Sequence, residues 1–349
     1  MARTAATKGK ALRWPRRLAI VAMSLVLSTA PGKAEDLVKN GRAIAVRSDV
    51  AYGAGVVDAS SAEPRSRDLL LDVYQPLEGG KAMAGRPAVI LAFGGAFLRG
   101  SKGPAHFEED GANDSSMADY CSVLARSGYV CLAMEYRLAT EDPGVTKAPD
   151  PALIFSSEML TDPVAMGRIE VVRARMGLPP LDDKSRAQFS NTVFAAAEDM
   201  TAAVGYARAH AAELGIDPDR IAIGGFSAGA VTAANVAYGM GVPVRAVVSL
   251  SGGVGGYDLS KTARAGMPPA LILMGQNDLA GVQLGNRALI GALTRAGVPI
   301  EPAWVPGFGH FYPMGSVTLG ADMTRSSLET RMLAFLGRTM PEPKALPRP

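Results

Sequence analysis

The residues with the clearest capacity for chemistry form the pentapeptide Gly225-Phe226-Ser227-Ala228-Gly229. A serine in the pattern G-x-S-x-G is typical of a nucleophile held on a tight turn between a strand and a helix. The chain contains 39 glycines in 349 residues, so the pattern could also arise by accident. The flanking segments decide the matter, because "IAIGG" has the pattern of a buried strand and "AGAVTAANV" that of a helix. This context favours Ser227 as a nucleophile.

A serine hydroxyl is a weak nucleophile unless a base accepts its proton, and the chain offers three histidines. His210 lies within an Ala-rich helical segment, and His106 lies in the loop "SKGPAHFEEDG". His310 lies in the Gly-rich loop "VPGFGHFYP", after the last predicted strand of the sheet. Its late position agrees with the chain order Ser, Asp, His that accompanies this kind of serine turn. We therefore predict that His310 is the base.

The base needs a carboxylate that orients its ring, and Asp278 is the candidate. It follows the predicted strand in "ALILMGQND" and lies between Ser227 and His310 in the chain. A carboxylate at the end of that strand can accept the imidazole N–H and select the productive tautomer. The alternative is an aspartate that only caps the helix predicted to start near residue 283.

Backbone amides that stabilise a developing oxyanion are expected on two loops. The helix after Ser227 presents the N–H of Ala228 at its first turn. The loop "LAFGGAFLRGSKG" follows another predicted strand, and its Gly94-Gly95-Ala96 stretch permits the unusual dihedral angles that turn amides inward. We predict that Gly95, Ala96 and Ala228 form the oxyanion hole.

Short, almost entirely apolar segments alternate with helical patterns from about residue 42 onward. Such strands are typical of a parallel sheet that is covered on both faces. The predicted fold class is therefore α/β, with a doubly wound, mostly parallel sheet. The predicted strands are 69–74, 88–93, 129–134, 221–225, 246–250, 270–274 and 302–305, and the predicted helices are 192–215, 228–241, 285–297 and 324–337.

Residues 139–191 interrupt this alternation. The segment is too long for a strand-to-helix loop, and it contains its own helical pattern near residues 163–176. Its apolar residues favour a cap-like insertion that helps to form a pocket wall, although a surface excursion without a function is the alternative. The end of the chain, 339–349, is rich in proline and is expected to be a flexible tail.

Residues 1–34 have the pattern of a secretory signal peptide. Basic residues precede an apolar run over 18–27, and Gly32-Lys33-Ala34 offers a cleavage site. The run is too short to span a bilayer, so we expect export to the periplasm or the medium, with no stable membrane span after cleavage. An uncleaved tethering helix is the alternative, and the Arg16-Arg17 pair matches a twin-arginine signal poorly.

The charge of the mature chain excludes one class of partner. Seven of the 36 basic residues and none of the 33 acidic residues lie in 1–34, which leaves 29 basic against 33 acidic residues, a net charge of −4. The basic character of the full chain therefore belongs to the signal segment, and nucleic-acid binding is not expected.

Cys121 and Cys131 are the only cysteines, ten residues apart across a predicted helix-to-strand turn at Ser127-Gly128. An exported protein can form this disulfide, and the export signal favours it. Two buried free thiols are the alternative. Two cysteines without a histidine cluster do not predict a metal site, and the predicted chemistry uses no cofactor.

These motifs together resemble the α/β-hydrolase superfamily, in particular exported carboxylesterases of the hormone-sensitive-lipase and feruloyl-esterase-like groups. The resemblance extends over residues 35–349 as one domain, through "LLLDVYQP", "ILAFGGAFLRGS", "LARSGYVCLAMEYRL", "GGFSAGA", "LILMGQND" and "PGFGHFYP". It implies Ser227 as nucleophile, Asp278 as acid and His310 as base, with the amides of Gly95, Ala96 and Ala228 as the oxyanion hole. The family's usual H-G-G-G motif is altered here, because Phe93 replaces its histidine and Ala96 its last glycine.

The resemblance implies a serine carboxylic-ester hydrolase that acts on a small or polymer-derived ester through an acyl-enzyme. Two alternatives remain open. A serine peptidase of the prolyl-oligopeptidase type shares the triad order, but no propeller-like domain precedes this hydrolase segment. A non-catalytic binding protein could use the same fold. The sequence leaves the acyl chain, the alcohol group and the oligomeric state open.

Overall fold

The structure is a computed structural model that describes residues 41–109, 111–156 and 163–341. The predicted signal segment 1–34 and residues 342–349 of the predicted tail lie outside the described residues.

The described residues form a large mixed sheet and a separate small hairpin. The sheet follows the order β1-β2-β7-β4-β8-β9-β10-β11-β12-β13, with β3 paired to β2, and β5 and β6 form the hairpin. The strands are β1 (Ile44–Val57), β2 (Arg65–Glu78), β3 (Lys81–Ala82), β4 (Arg86–Ala92), β5 (Glu108–Glu109), β6 (Ala112–Asn113), β7 (Val130–Met134), β8 (Ile216–Phe226), β9 (Ala246–Leu250), β10 (Ala270–Gly275), β11 (Ile300–Val305), β12 (Val317–Gly320) and β13 (Arg325–Ser327).

The centre of the sheet is parallel, as predicted, and its margins are antiparallel. Strands β7, β4, β8, β9, β10 and β11 pair in parallel, whereas β1, β2, β12 and β13 add antiparallel pairs at the two sides. The central strands are buried almost throughout, because helices cover both faces. The parallel register aligns their carboxyl ends, so that Ala92 lies beside Gly225 and Phe226 beside Leu250.

Eight α-helices accompany the strands in the described residues. They are α1 (Met117–Arg126), α2 (Pro163–Arg175), α3 (Asp183–Ala209), α4 (Ala211–Leu214), α5 (Ala228–Ala234), α6 (Leu259–Thr262), α7 (Ala280–Arg295) and α8 (Leu328–Thr339). A π-helical turn, Asn235–Gly239, extends α5.

The helix boundaries differ from the predicted ones where local capping decides them. Helix α3 begins at Asp183 instead of near residue 192, because Asp182 and Ser185 form a capping box that satisfies the first free amides. The last part of the predicted insertion 139–191 therefore belongs to this helix.

Helix α2, in the remaining part of the insertion, packs against the loop that follows β4. Helix α2 contributes Met166, Ile169 and Val172 to a small apolar cluster that is separate from the main hydrophobic core. Leu98, which follows the predicted oxyanion loop, belongs to the same cluster. The insertion is therefore in contact with the loop that carries Gly95 and Ala96.

A disulfide joins Cys121 in α1 to Cys131 in β7, with their Cα atoms 5.1 Å apart. The turn between them is the predicted one, with Ser127 as the cap of α1 and Gly128 at a φ of 95°. Among the helices in the described part of the chain, none is both long enough and apolar enough to cross a membrane.

Candidate active site

Ser227 occupies a strained turn between β8 and α5. Its φ of 52° and ψ of −114° place a non-glycine residue in a sparsely populated backbone region. A Cβ atom on Gly229 would collide with the backbone carbonyl of Ala92 in β4, so this close approach requires glycine. The sequence predicted this strand-turn-helix arrangement from the pattern of small residues.

The structure brings the three predicted triad residues together. Nε2 of His310 lies 3.0 Å from Oγ of Ser227, and Nδ1 of His310 lies 2.7 Å from Oδ1 of Asp278. The Asp278 side chain is completely buried, and His310 is 8% exposed. Asp278 follows β10 and His310 follows β11, so the parallel register carries both side chains to the edge where β8 delivers Ser227.

Asp278 is held by donors that the sequence analysis did not identify. Its Oδ2 accepts a hydrogen bond of 2.6 Å from Oγ of Ser251, and its Oδ1 accepts one of 2.8 Å from the N–H of Leu279. The hydroxyl of Tyr312 lies 2.8 Å from Oγ of Ser251. A polar residue directly after β9, at the same edge of the sheet, was the available signal for Ser251. Asp278 is not the N-cap of α7. That position is occupied by Leu279, whose side chain forms no capping hydrogen bond.

The predicted oxyanion loop has an unusual backbone. Gly95, Ala96 and Phe97 have φ values of 123°, 59° and 58° in succession. A Cβ atom on the preceding Gly94 would come within 3.1 Å of Cβ of Ser227, so the loop runs directly past the serine. No described residue accepts a hydrogen bond from the amide N–H of Gly95, Ala96 or Ala228. These amides are therefore available to an oxygen bound near Ser227.

Phe93, at the start of this loop, contacts Tyr136 through both its ring and its backbone. Its ring stacks on Tyr136 with the centroids 4.5 Å apart, and the Tyr136 hydroxyl donates a 2.9 Å hydrogen bond to the carbonyl oxygen of Phe93. The Tyr136 hydroxyl is buried, and this burial raises its pKa above the usual range. The aromatic packing and this hydrogen bond together hold the start of the loop.

Aromatic rings surround the base. The His310 ring lies 5.2 Å from that of Phe226 and 5.0 Å from that of Phe311. Phe311 in turn contacts Phe107, with the centroids 6.0 Å apart. This packing restricts the orientation of the imidazole.

The other two histidines have partners elsewhere. Nδ1 of His106 lies 3.0 Å from the backbone oxygen of Asp114, and its side chain is 47% exposed. His210 ends α3, stacks on Tyr206 and lies 3.2 Å from Glu213. Neither has a recorded contact with Ser227.

Residues 184–245, which contain β8, Ser227 and α5, match the model of the BD-FAE family. No curated protein matched the chain. Esterase 2 of Thermogutta terrifontis, phosphorylated by paraoxon, is 20% identical and has a TM-score of 0.53, with 86% of this chain and 96% of that chain covered. The same thermophilic esterase with bound propionate is 18% identical, with a TM-score of 0.51 and coverages of 89% and 97%.

This similarity shows the fold. The chain shares its mixed α/β fold, with a mostly parallel central sheet, with this esterase over nearly the whole length of the esterase. The predicted fold class is therefore confirmed.

Proposed function

We propose that this protein is an exported serine carboxylic-ester hydrolase that works through an acyl-enzyme intermediate. The observation that carries the proposal is the pair of hydrogen bonds from Ser227 through His310 to Asp278, 3.0 Å and 2.7 Å long, on a strained turn. Proton transfer between a hydroxyl and an imidazole requires contact of this kind.

In the acylation step, Nε2 of His310 accepts the proton from Oγ of Ser227 as the oxygen attacks the ester carbonyl carbon. The carbonyl oxygen becomes an oxyanion that the amides of Gly95, Ala96 and Ala228 stabilise. The C–O bond to the alcohol then breaks, and the imidazolium returns its proton to the departing oxygen. Asp278 keeps Nδ1 protonated and stabilises the imidazolium.

In the deacylation step, water takes the position of the alcohol. His310 accepts a proton from the water while its oxygen attacks the acyl carbon. The second tetrahedral intermediate collapses with cleavage of the bond to Oγ, and the proton returns to Ser227. The carboxylic acid leaves, and the enzyme regains its starting state.

The comparisons support this chemistry. One structural neighbour is an esterase phosphorylated by paraoxon, and another structure of the same esterase has propionate bound. The family match covers the segment around Ser227. Export rests on the sequence of residues 1–34 alone.

The test compares esters with amides. The chain without residues 1–34 is assayed on para-nitrophenyl esters of increasing acyl length, on feruloyl and acetyl-sugar esters, and on aminoacyl anilides. We expect ester hydrolysis that falls by at least about a thousandfold in Ser227→Ala, because removal of a triad nucleophile has effects of this size or larger. Faster cleavage of the anilides would support a peptidase, and inactivity on every substrate would support a binding protein.

A further inference from the structure

Three arginines gather beside the oxyanion loop, and two of them bind the same carboxylate. Glu109 accepts hydrogen bonds of 2.8 Å and 2.6 Å from the guanidinium of Arg168, and it lies 2.9 Å from Arg175. The hydrogen bonds from Arg168 lower the pKa of Glu109 to about 2. Arg99 is the third arginine of this group, which we call the arginine cluster.

The cluster is attached to the candidate active site from two sides. The backbone N–H of Arg99 donates a 3.3 Å hydrogen bond to the carbonyl oxygen of Gly95. Arg99 is therefore tied directly to the oxyanion loop. Its guanidinium lies over the ring of Phe107, at 4.8 Å from the centroid. The guanidinium of Arg168 lies 5.8 Å from the centre of the Phe311 ring, next to His310.

Among the described residues, Arg99 has no counter-charge of its own. Its guanidinium forms no hydrogen bond or ion pair with the described residues, and its buried Nε has no acceptor. Partial burial, together with the positive charges of Arg168 and Arg175, lowers the pKa of Arg99. The described side chains of the cluster therefore hold three positive charges against one negative charge, with the unpaired cation beside the oxyanion loop.

A buried donor without an acceptor indicates a missing partner, and a guanidinium binds carboxylates especially well. We propose that Arg99, assisted by Arg168, binds a carboxylate of the substrate, so that the preferred esters carry an acidic group besides the ester bond. This inference rests on the proposed ester hydrolysis and names its substrate class. The carboxylate can belong to the acyl part, as in a monoester of a dicarboxylic acid, or to the alcohol part, as in an ester of a hydroxybenzoate.

Two substrate pairs separate these sources. Para-nitrophenyl glutarate is compared with para-nitrophenyl pentanoate for the acyl side, and para-acetoxybenzoate with para-acetoxybenzamide for the alcohol side. We expect kcat/KM to favour the anionic member of one pair by about tenfold or more, as charged hydrogen bonds allow. This preference should weaken as ionic strength rises, because the contact is electrostatic.

The variants then assign the preference to Arg99. Arg99→Gln should lower the anionic-to-neutral ratio of kcat/KM about tenfold, and Arg99→Lys should retain part of it. Arg338→Gln is the control, because Arg338 is exposed and forms an ion pair with Glu301, outside the arginine cluster. Its ratio should equal that of the wild type.

Two results would overturn the inference while leaving ester hydrolysis intact. One is a wild-type ratio near one in both pairs, and the other is a ratio that Arg99→Gln does not change. If Arg99→Gln fails to fold, the salt dependence of the wild-type ratio decides, and a ratio that salt does not change counts against the proposal. Absence of hydrolysis of all four esters would contradict the proposed function itself.

Discussion

At the scale of single residues, contacts to both carboxylate oxygens fix the orientation of Asp278. One of its oxygens faces His310, and the other accepts the hydrogen bond from Ser251. Ser251, directly after β9, has a φ of 47°, which is an unfavourable backbone angle for a residue other than glycine. In the proposed mechanism, Ser251 is therefore a positioning residue that acts through Asp278.

Replacement of Ser251 by alanine should lower kcat about tenfold with little change in KM, because the loss of a hydrogen bond to a charged group costs about 1.5–3 kcal/mol, part of which affects the orientation of the imidazole. Steady-state kinetics on a para-nitrophenyl ester, over a range of pH, measure this effect.

Ser249→Ala is the matched control for this prediction. Ser249 lies two residues earlier at the end of the same strand and is equally buried, but its hydroxyl has no hydrogen-bond partner among the described residues. Its removal should leave kcat unchanged. Equal kinetic effects of the two variants would mean that packing, not the bond to Asp278, is responsible.

Ala96 is strained, and a substitution can measure that strain. A left-handed φ of 59° costs a non-glycine residue about 1 kcal/mol or more. Ala96→Gly should therefore raise the free energy of unfolding by up to about 1 kcal/mol, less the entropy that glycine adds to the unfolded chain. Ala202→Gly in the middle of α3 should instead lower it by about 1 kcal/mol. Urea denaturation of both variants tests the opposite signs.

At the scale of elements, the loop before α1 couples a buried carboxyl to the active-site wall. Oδ1 of Asp114 accepts a 2.7 Å hydrogen bond from the N–H of Phe107, whose ring contacts Phe311. Burial raises the pKa of Asp114 to about 6, although the bond from Phe107 partly opposes the shift.

This raised pKa predicts a pH dependence of stability. Between about pH 4 and pH 6 the folded chain retains a proton at Asp114 that the unfolded chain has released, so the free energy of unfolding falls as pH rises through this window. The loss is complete above about pH 6 and amounts to roughly 2 kcal/mol. Asp114→Asn keeps the oxygen acceptor and removes the titration.

Urea denaturation of Asp114→Asn and the wild type at pH 4 and pH 7 measures this contribution, since effects of the other acidic groups cancel in the comparison. The free energy of unfolding of Asp114→Asn, relative to that of the wild type, should rise by roughly 2 kcal/mol from pH 4 to pH 7. A constant difference would contradict the raised pKa.

At the scale of the whole molecule, much of the fold and the triad followed from local patterns. Ser227, Asp278 and His310 each follow a buried parallel strand, and parallel strands bring their carboxyl ends to one edge. Apolar strands and a turn of small residues are signals that a single sequence contains. The disulfide between Cys121 and Cys131 was also predicted, because the export signal favoured it over two free thiols.

Several features that the sequence did not predict depend on contacts between distant segments. The bond from Ser251 to Asp278 joins residues 27 positions apart, and Glu109 meets Arg168 from 59 positions away. The antiparallel strand β1 was not predicted, because its residues alternate between partly buried and exposed without a continuous apolar pattern. Helix α3 began earlier than predicted, because the cap at Asp182 outweighed the polar composition of its first turns.

The central claim is that Ser227 is an activated nucleophile, and covalent labelling tests it most directly. The chain without residues 1–34 is treated with a fluorophosphonate, and the adduct is located by peptide mass spectrometry. We expect one adduct per chain, on Ser227, which is lost in Ser227→Ala and forms much more slowly in His310→Ala. Absence of the adduct from the folded wild type, or equal labelling of Ser227→Ala, would contradict the account.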